Sequence, residues 1–405
     1  MLWTLALLLP NTQASEGCGI ALLQELGWQI TDTSGPEPEV VGGTPCQRES
    51  LAEAQRQKDL QLRIPRGYSA IQRELLAVEL LHTPTSVCAY AFRLGEATRT
   101  ATKRLQSNEN YRFSALQLGW IGFGLGGSHA QGWQRFRSFG RGYAPQAGNA
   151  QALEVFYSGR VRSECGVGRQ VAQLATQREL YGDALFDREF TPGELSIGTF
   201  LTLHQTQSIL LGSSAGDFFA DGKAVRTSAM GRQAFMGVPG FIEHVFERKF
   251  LDDINNQAEN FVITDISAAA AQALAQRGGF AHYDEVNREI WQLSQQMPGS
   301  GWRRFERLLH ERDSELRAAL PPEQQRVLER IDALLADPVY RELLIYVHPK
   351  GVQPLGYHIA RLLDRNPRTP FSIDLALHNL HTTLYQRWIN ARLRECGGGL
   401  SLNTK

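Results

Sequence analysis

Ser163-Glu164-Cys165-Gly166-Val167-Gly168-Arg169-Gln170 is the stretch on which the reading of this chain turns. Turn-forming residues give way there to an amphipathic segment, 167–180, with Val167, Val171, Leu174 and Ala175 on one side. A cysteine in the first turn of a helix sits among backbone N–H groups without intrahelical acceptors, at the positive end of the helix dipole. Both favour the thiolate, the form that attacks carbonyl carbon. Downstream, Glu243-His244-Val245-Phe246 sets a histidine between apolar residues, and Phe261-Val262-Ile263-Thr264-Asp265-Ile266 reads as an apolar strand carrying a carboxylate. Cys165, His244 and Asp265 supply, in that order, the residue types of a nucleophile, a base and an orienter.

With these residues in place, the pattern resembles the transglutaminase-like core, a relative of the papain fold. In that family a cysteine opens a helix, a histidine lies on a following strand before Val or Ala and an aromatic residue, and an aspartate lies on the next strand. Cys165, His244-Val245-Phe246 and Asp265 match that order one by one, and the resemblance spans residues 160–270. The tryptophan usual near the cysteine and the proline usual after the aspartate are absent here. The resemblance implies an α+β core of papain/transglutaminase type, with Cys165, His244 and Asp265 as catalytic residues. It implies cysteine-dependent amidase or acyltransferase chemistry on amide bonds of protein or peptide substrates such as cell-wall material, needing no cofactor.

Composition limits the partners. Of 405 residues, 42% are hydrophobic and 21% charged, as in globular proteins. Lys plus Arg (42) equals Asp plus Glu (42), so no global field recruits nucleic acid or an anionic membrane. A local patch remains. Between residues 110 and 153 there is no acidic residue, and Arg135, Arg137 and Arg141 alternate with Trp133, Phe136, Phe139 and Tyr143. Such a surface could hold an anionic polymer, against the plainer reading of a structural loop with buried aromatics.

The short apolar run Leu2–Leu9, Pro10 and the small residues around Ala14 read as a signal peptide over 1–14, and so as a secreted or periplasmic protein. No apolar stretch is long enough for a transmembrane segment. In an oxidising compartment the five cysteines form pairs with one left over. Cys18 with Cys46, and Cys88 with Cys396, would leave Cys165 as the thiol, although five cysteines allow many arrangements.

Two further motifs are weaker. Gly122-Phe123-Gly124-Leu125-Gly126-Gly127 fits a dinucleotide-binding pattern, but Gln131-Gly132-Trp133 follows where a helix must open, so a glycine-rich loop is the better reading. Gly212-Ser213-Ser214-Ala215-Gly216 fits the esterase elbow, and Asp217, Asp221 and Gly222 after it favour a turn. Ser50 caps a helix over 51–60, and the spacing predicts a helix over Ala70–Leu81 before Pro84 interrupts. Residues 86–94, 112–123, 195–203 and 207–211 read as strands, and 183–192 as loop. From residue 283 to 405 the pattern is helical throughout, an all-α lobe on a core of 15–282. On that lobe Asp374, His378 and His381 share a helical face and with His358 form a partial metal-ligand set, against the plainer reading of structural histidines. A non-catalytic envelope binding protein and a metal-binding helical domain are thus the alternatives to the enzyme.

Overall fold

Pro84 opens the longest helix among the described residues rather than interrupting one. The structure, a computed structural model, describes residues 17–43, 45–113, 132–137, 141–198, 200–211, 218–220, 223–225, 231–244, 259–297, 299, 303–365, 369–375 and 380–395. The leader-like segment 1–14, the glycine-rich run 122–127, the serine motif 212–216, Val245, Phe246, His378 and Cys396 lie outside the described residues, as do the side chains of Arg135, Arg137, Arg141, His244 and His381.

Helix Ala70–Leu81 forms as the spacing predicts, with Ser69 and Gln72 making a capping box at its start. Helix α1 (Pro84–Ser107) follows, with proline in its first turn. It takes in the segment 86–94 expected as a strand. The apolar residues there are mostly Ala, Tyr, Phe and Leu, and the small ones let the helix bury on several sides, so no single-face period shows. Helix α2 (Cys165–Tyr181) packs along α1. Val167, Val171, Leu174 and Ala175 are all buried, as their spacing requires. Three smaller expectations also change. Residues 183–189 are helical, the strand near 195–203 shortens to Ile197–Gly198 before helix Phe200–Thr206, and Ile209–Leu211 is a 3₁₀ turn.

The central element among the described residues is a five-stranded antiparallel sheet. Its strands are β1 (Pro239–His244), β2 (Glu259–Ile266), β3 (Leu343–Val347), β4 (Gly351–Pro354) and β5 (Phe371–Leu375), in the order β4-β3-β2-β1-β5. Successive strand residues point to opposite faces. Val262, opposite Tyr346, joins the hydrophobic cluster that holds α1 and α2. Phe261, Ile263 and Ile345 join a second cluster with helices α3 (Phe280–Gln295) and α4 (Leu355–Leu363). Helix α5 (Leu380–Glu395) returns to the first cluster, where Tyr385 and Trp388 lie 4.9 and 5.4 Å from the Tyr90 ring.

The fold class is therefore α+β, but the chain from 283 onward is not an all-α lobe. Three of its segments are strands of the same sheet as β1 and β2, and 282/283 falls inside α3. The short apolar run Leu343-Leu344-Ile345-Tyr346-Val347 carries no period that separates a buried strand from a helix, and it follows helix Pro338–Glu342 directly. The cysteine pairing also differs. Cys46 is bonded to Cys88, so neither expected pair forms, and Cys18 is disulfide-bonded too. Cys165 is a half-buried thiol. No single helix among the described residues is long and apolar enough to cross a membrane.

Candidate functional site

Cys165 is the first residue of α2, where its place in the sequence puts it, but the helix terminus serves another group. Glu164, the residue before the helix, turns its carboxylate onto the first N–H groups: Gly166 N–H donates at 2.6 Å and Val167 N–H at 2.7 Å. Donors expected to favour a thiolate are satisfied by a carboxylate already in place. Gly166 makes room for it, since a Cβ there would lie 2.8 Å from a Glu164 oxygen. Burial, then the negative charge of Glu164, push the Cys165 thiol up. The resting group is a neutral thiol.

Two donors and one cation pull the other way. Asn260, near the start of β2, donates to the sulfur from its backbone N–H at 3.4 Å and from its side-chain amide at 3.6 Å. The Arg365 guanidinium, just beyond α4, is close enough to lower the thiol further. Each of these contacts is stronger to a thiolate than to a thiol.

Glu259 stands next to Asn260, and its carboxylate turns toward α4, whose hydrophobic cluster Cys165 also packs against. It is almost wholly buried and gathers a charged cluster. His358 Nδ1 lies 2.7 Å from one carboxylate oxygen, while Arg361 and Arg365 (3.2 Å) ion-pair with the other. Burial, with the charges of Lys350 and Arg365, pushes the His358 imidazole down to about 3, so the ring is neutral and Nδ1 carries the proton that Glu259 accepts. His358 Nε2 is buried and finds no partner among the described residues. Arg169, one turn into α2 from Cys165, is lowered by burial and held up by Glu164 and Cys165.

Of the three residues expected to act together, Cys165 meets the start of β2 and Asp265 stands near its end. His244 ends β1 opposite Phe371, at the end of the sheet where Asn260 meets the sulfur, and its side chain lies outside the described residues. Asp265 is at the other end of β2. It lies five positions along the strand from Asn260, a span of about 16 Å at the usual strand rise. Its carboxylate accepts from Arg232 Nη2 at 2.9 Å, with Arg99 at 3.9 Å. Asp265 is thus placed as an ion-pair partner of Arg232, because a strand carries successive residues steadily away from the Cys165 end. Among the described residues no group of three His, Cys, Asp or Glu side chains is placed to hold a metal ion. His358 is held by Glu259.

No protein-family model, curated protein or solved structure matches the chain. The site must be read from its own residues.

Glu164, Asn260, Glu259, Arg361 and Arg365 were not singled out from the sequence. Signals for them exist. A carboxylate directly before a helix-opening cysteine is a cap, and Glu259-Asn260 are polar residues at the head of a buried strand. His358, Arg361 and Arg365 follow at i, i+3 and i+7, the spacing of one helical face.

Proposed function

We propose that the chain is a cysteine-dependent amidase or acyltransferase acting on amide bonds of protein or peptide substrates, with Cys165 as nucleophile. The observation that carries the reading is the double donation from Asn260 to the Cys165 sulfur at the mouth of α2. A structural thiol in an apolar core has no need of two amide donors, whereas a thiolate formed during reaction is stabilised by both.

In this reading the thiol loses its proton as it attacks the amide carbonyl, the C–N bond breaks, and the amine leaves with that proton. A thioester remains on Cys165 until water or a second amine attacks it. Burial, and then the charge of Glu164, raise the thiol pKa and keep the sulfur neutral. A substrate that displaces water and sets a base beside the sulfur is then needed for attack. His244, at the same end of the sheet, is the proposed base.

The Cys46–Cys88 bond fits an oxidising compartment and supports the reading of a secreted or periplasmic protein. The experiment compares amine release from peptide amides by the wild-type chain and by Cys165→Ala, Asn260→Ala and His244→Ala. Turnover is expected to vanish in the first and to fall by about a hundredfold or more in the other two, with folding unchanged by circular dichroism. Equal turnover in Cys165→Ala would remove the proposal.

A further inference from the structure

We infer that the acyl substrate of Cys165 is anionic, and that Arg361 and Arg365 hold its carboxylate beside the reacting carbonyl. This rests on the reading of Cys165 as the nucleophile and names the substrate class for that site.

Among the described residues, the two arginines are supplied with far fewer acceptors than they can use. Arg361 is 13% exposed and Arg365 36%, and the carboxylate that both meet is Glu259, through the same oxygen. The second oxygen of Glu259 takes the proton of His358 Nδ1. Each guanidinium carries five N–H donors in a rigid fork made for two-point binding of carboxylate. Arg361 Nε is buried and finds no acceptor among the described residues.

Charge is as one-sided as hydrogen bonding. Among the described residues, two guanidinium groups ion-pair with Glu259, Lys350 adds a third positive charge, Asp364 acts on Arg361 through its charge, and the neutral His358 adds none. Across the strand end, Arg169 is set against Glu164, which leaves the excess positive charge with the first pair. Burial, and then the charge of Arg365, pull the Arg361 guanidinium down to about 9, and burial lowers Arg365 as well. Buried charges are ordinarily paired, and one more carboxylate would balance this cluster.

Position ties the cluster to the chemistry. Glu259 and Asn260 are adjacent in β2. The residue that collects the arginines is next to the one that donates to the Cys165 sulfur. Both arginines interact with the thiol through charge, and Arg365 is the more exposed of the two, so it is the arginine an incoming carboxylate meets. An uncharged substrate would cover these cations without pairing them.

Iodoacetate and iodoacetamide provide the probe, because they deliver the same carbon to the thiolate with and without a carboxylate. Both rates scale with the thiolate fraction, so their ratio is independent of the thiol pKa. The ratio is measured at Cys165 in the full chain, located by peptide mass, and compared with that of a small-molecule thiol. We expect it to be about tenfold higher or more in the protein, as a charge-assisted contact to the arginines requires. Arg365→Gln should bring it back toward the small-thiol value, and Arg365→Lys should retain part of the gain. Sodium acetate should slow iodoacetate more than iodoacetamide on the wild-type chain, a readout independent of any variant. A wild-type ratio no higher than that of the small thiol, or one unmoved by both Arg365→Gln and acetate, overturns the inference. Neither rate requires turnover, so this failure is distinct from retained amide cleavage by Cys165→Ala, which would sink the nucleophile instead.

Discussion

Glu164 and Cys165 compete for one helix terminus, and the carboxylate holds it. Its oxygens take the Gly166 and Val167 N–H groups, so the dipole stabilises Glu164 rather than a thiolate. The Cys165 alkylation rate is therefore expected to rise with pH to a midpoint above the ordinary thiol range. Glu164→Gln should move that midpoint down and speed labelling at neutral pH, since the amide still accepts hydrogen bonds but carries no charge. Iodoacetamide rates against pH decide it, and a wild-type midpoint below pH 8 contradicts the account. His348 gives a second prediction at this scale. Burial pulls its imidazole down to about 4, against about 6.5 in an unfolded chain. Between those values the unfolded chain holds a proton that the folded one refuses. This contribution is therefore intact above about pH 6.5 and is lost as pH falls toward 4, at up to about 1.4 kcal/mol per pH unit. His358 acts in the same direction, while Asp284, raised to about 6 chiefly by burial, acts in the opposite one. The difference between wild type and His348→Gln isolates the His348 term in urea titrations at pH 4 to 7. An unchanged slope would show that His348 is already protonated in the fold.

At the scale of elements, helix starts were legible because caps are local. Ser50, Ser69 and Ser267 each accept the backbone N–H that a cap predicts. α2 was legible for the same reason, down to the cysteine at its first position. Residues 86–94 and β3 were not, because a helix buried on several sides and a short buried strand both appear as apolar runs. The site divides in the same way. Cys165 is a local feature of one helix start, whereas its link to Asn260 joins positions 95 residues apart. Only the register of β2 against α2 shows that Asn260, and not Asp265, reaches the sulfur. Two variants test this layout. Gly168→Ala should destabilise by about 1–3 kcal/mol despite alanine's better helix propensity, because its Cβ would lie 2.3 Å from His348 Cβ. Asp265→Asn should lower stability, by stripping a charge from the buried Arg232, and leave amide turnover within a few-fold. Thermal melts and initial rates separate the two effects, and a large loss of turnover without a stability change would return Asp265 to the site.

Over the whole molecule, one sheet joins the parts that the sequence suggests are separate. β1 and β2 precede α3, and β3, β4 and β5 follow it or lie beyond, so neither half has a complete sheet alone. Pairing of strands about 80 residues apart leaves no local trace, whereas a change of composition would have. The Cys46–Cys88 bond ties the 3₁₀ turn Pro45–Gln47 to α1 across a separation of 42 residues. Replacing both cysteines by alanine should cost about 2–4 kcal/mol in urea titrations, and no change would mean that the bond is absent from the folded protein.

The central claim is that Cys165 carries the acyl group. Its most direct test is to quench the native chain in acid during reaction with a mixture of carboxylate-bearing peptide amides and to map the adducts by mass. The account predicts a thioester on Cys165, discharged by hydroxylamine and absent from Cys165→Ala. Amine release with no adduct on Cys165, or equal release by Cys165→Ala, would contradict it.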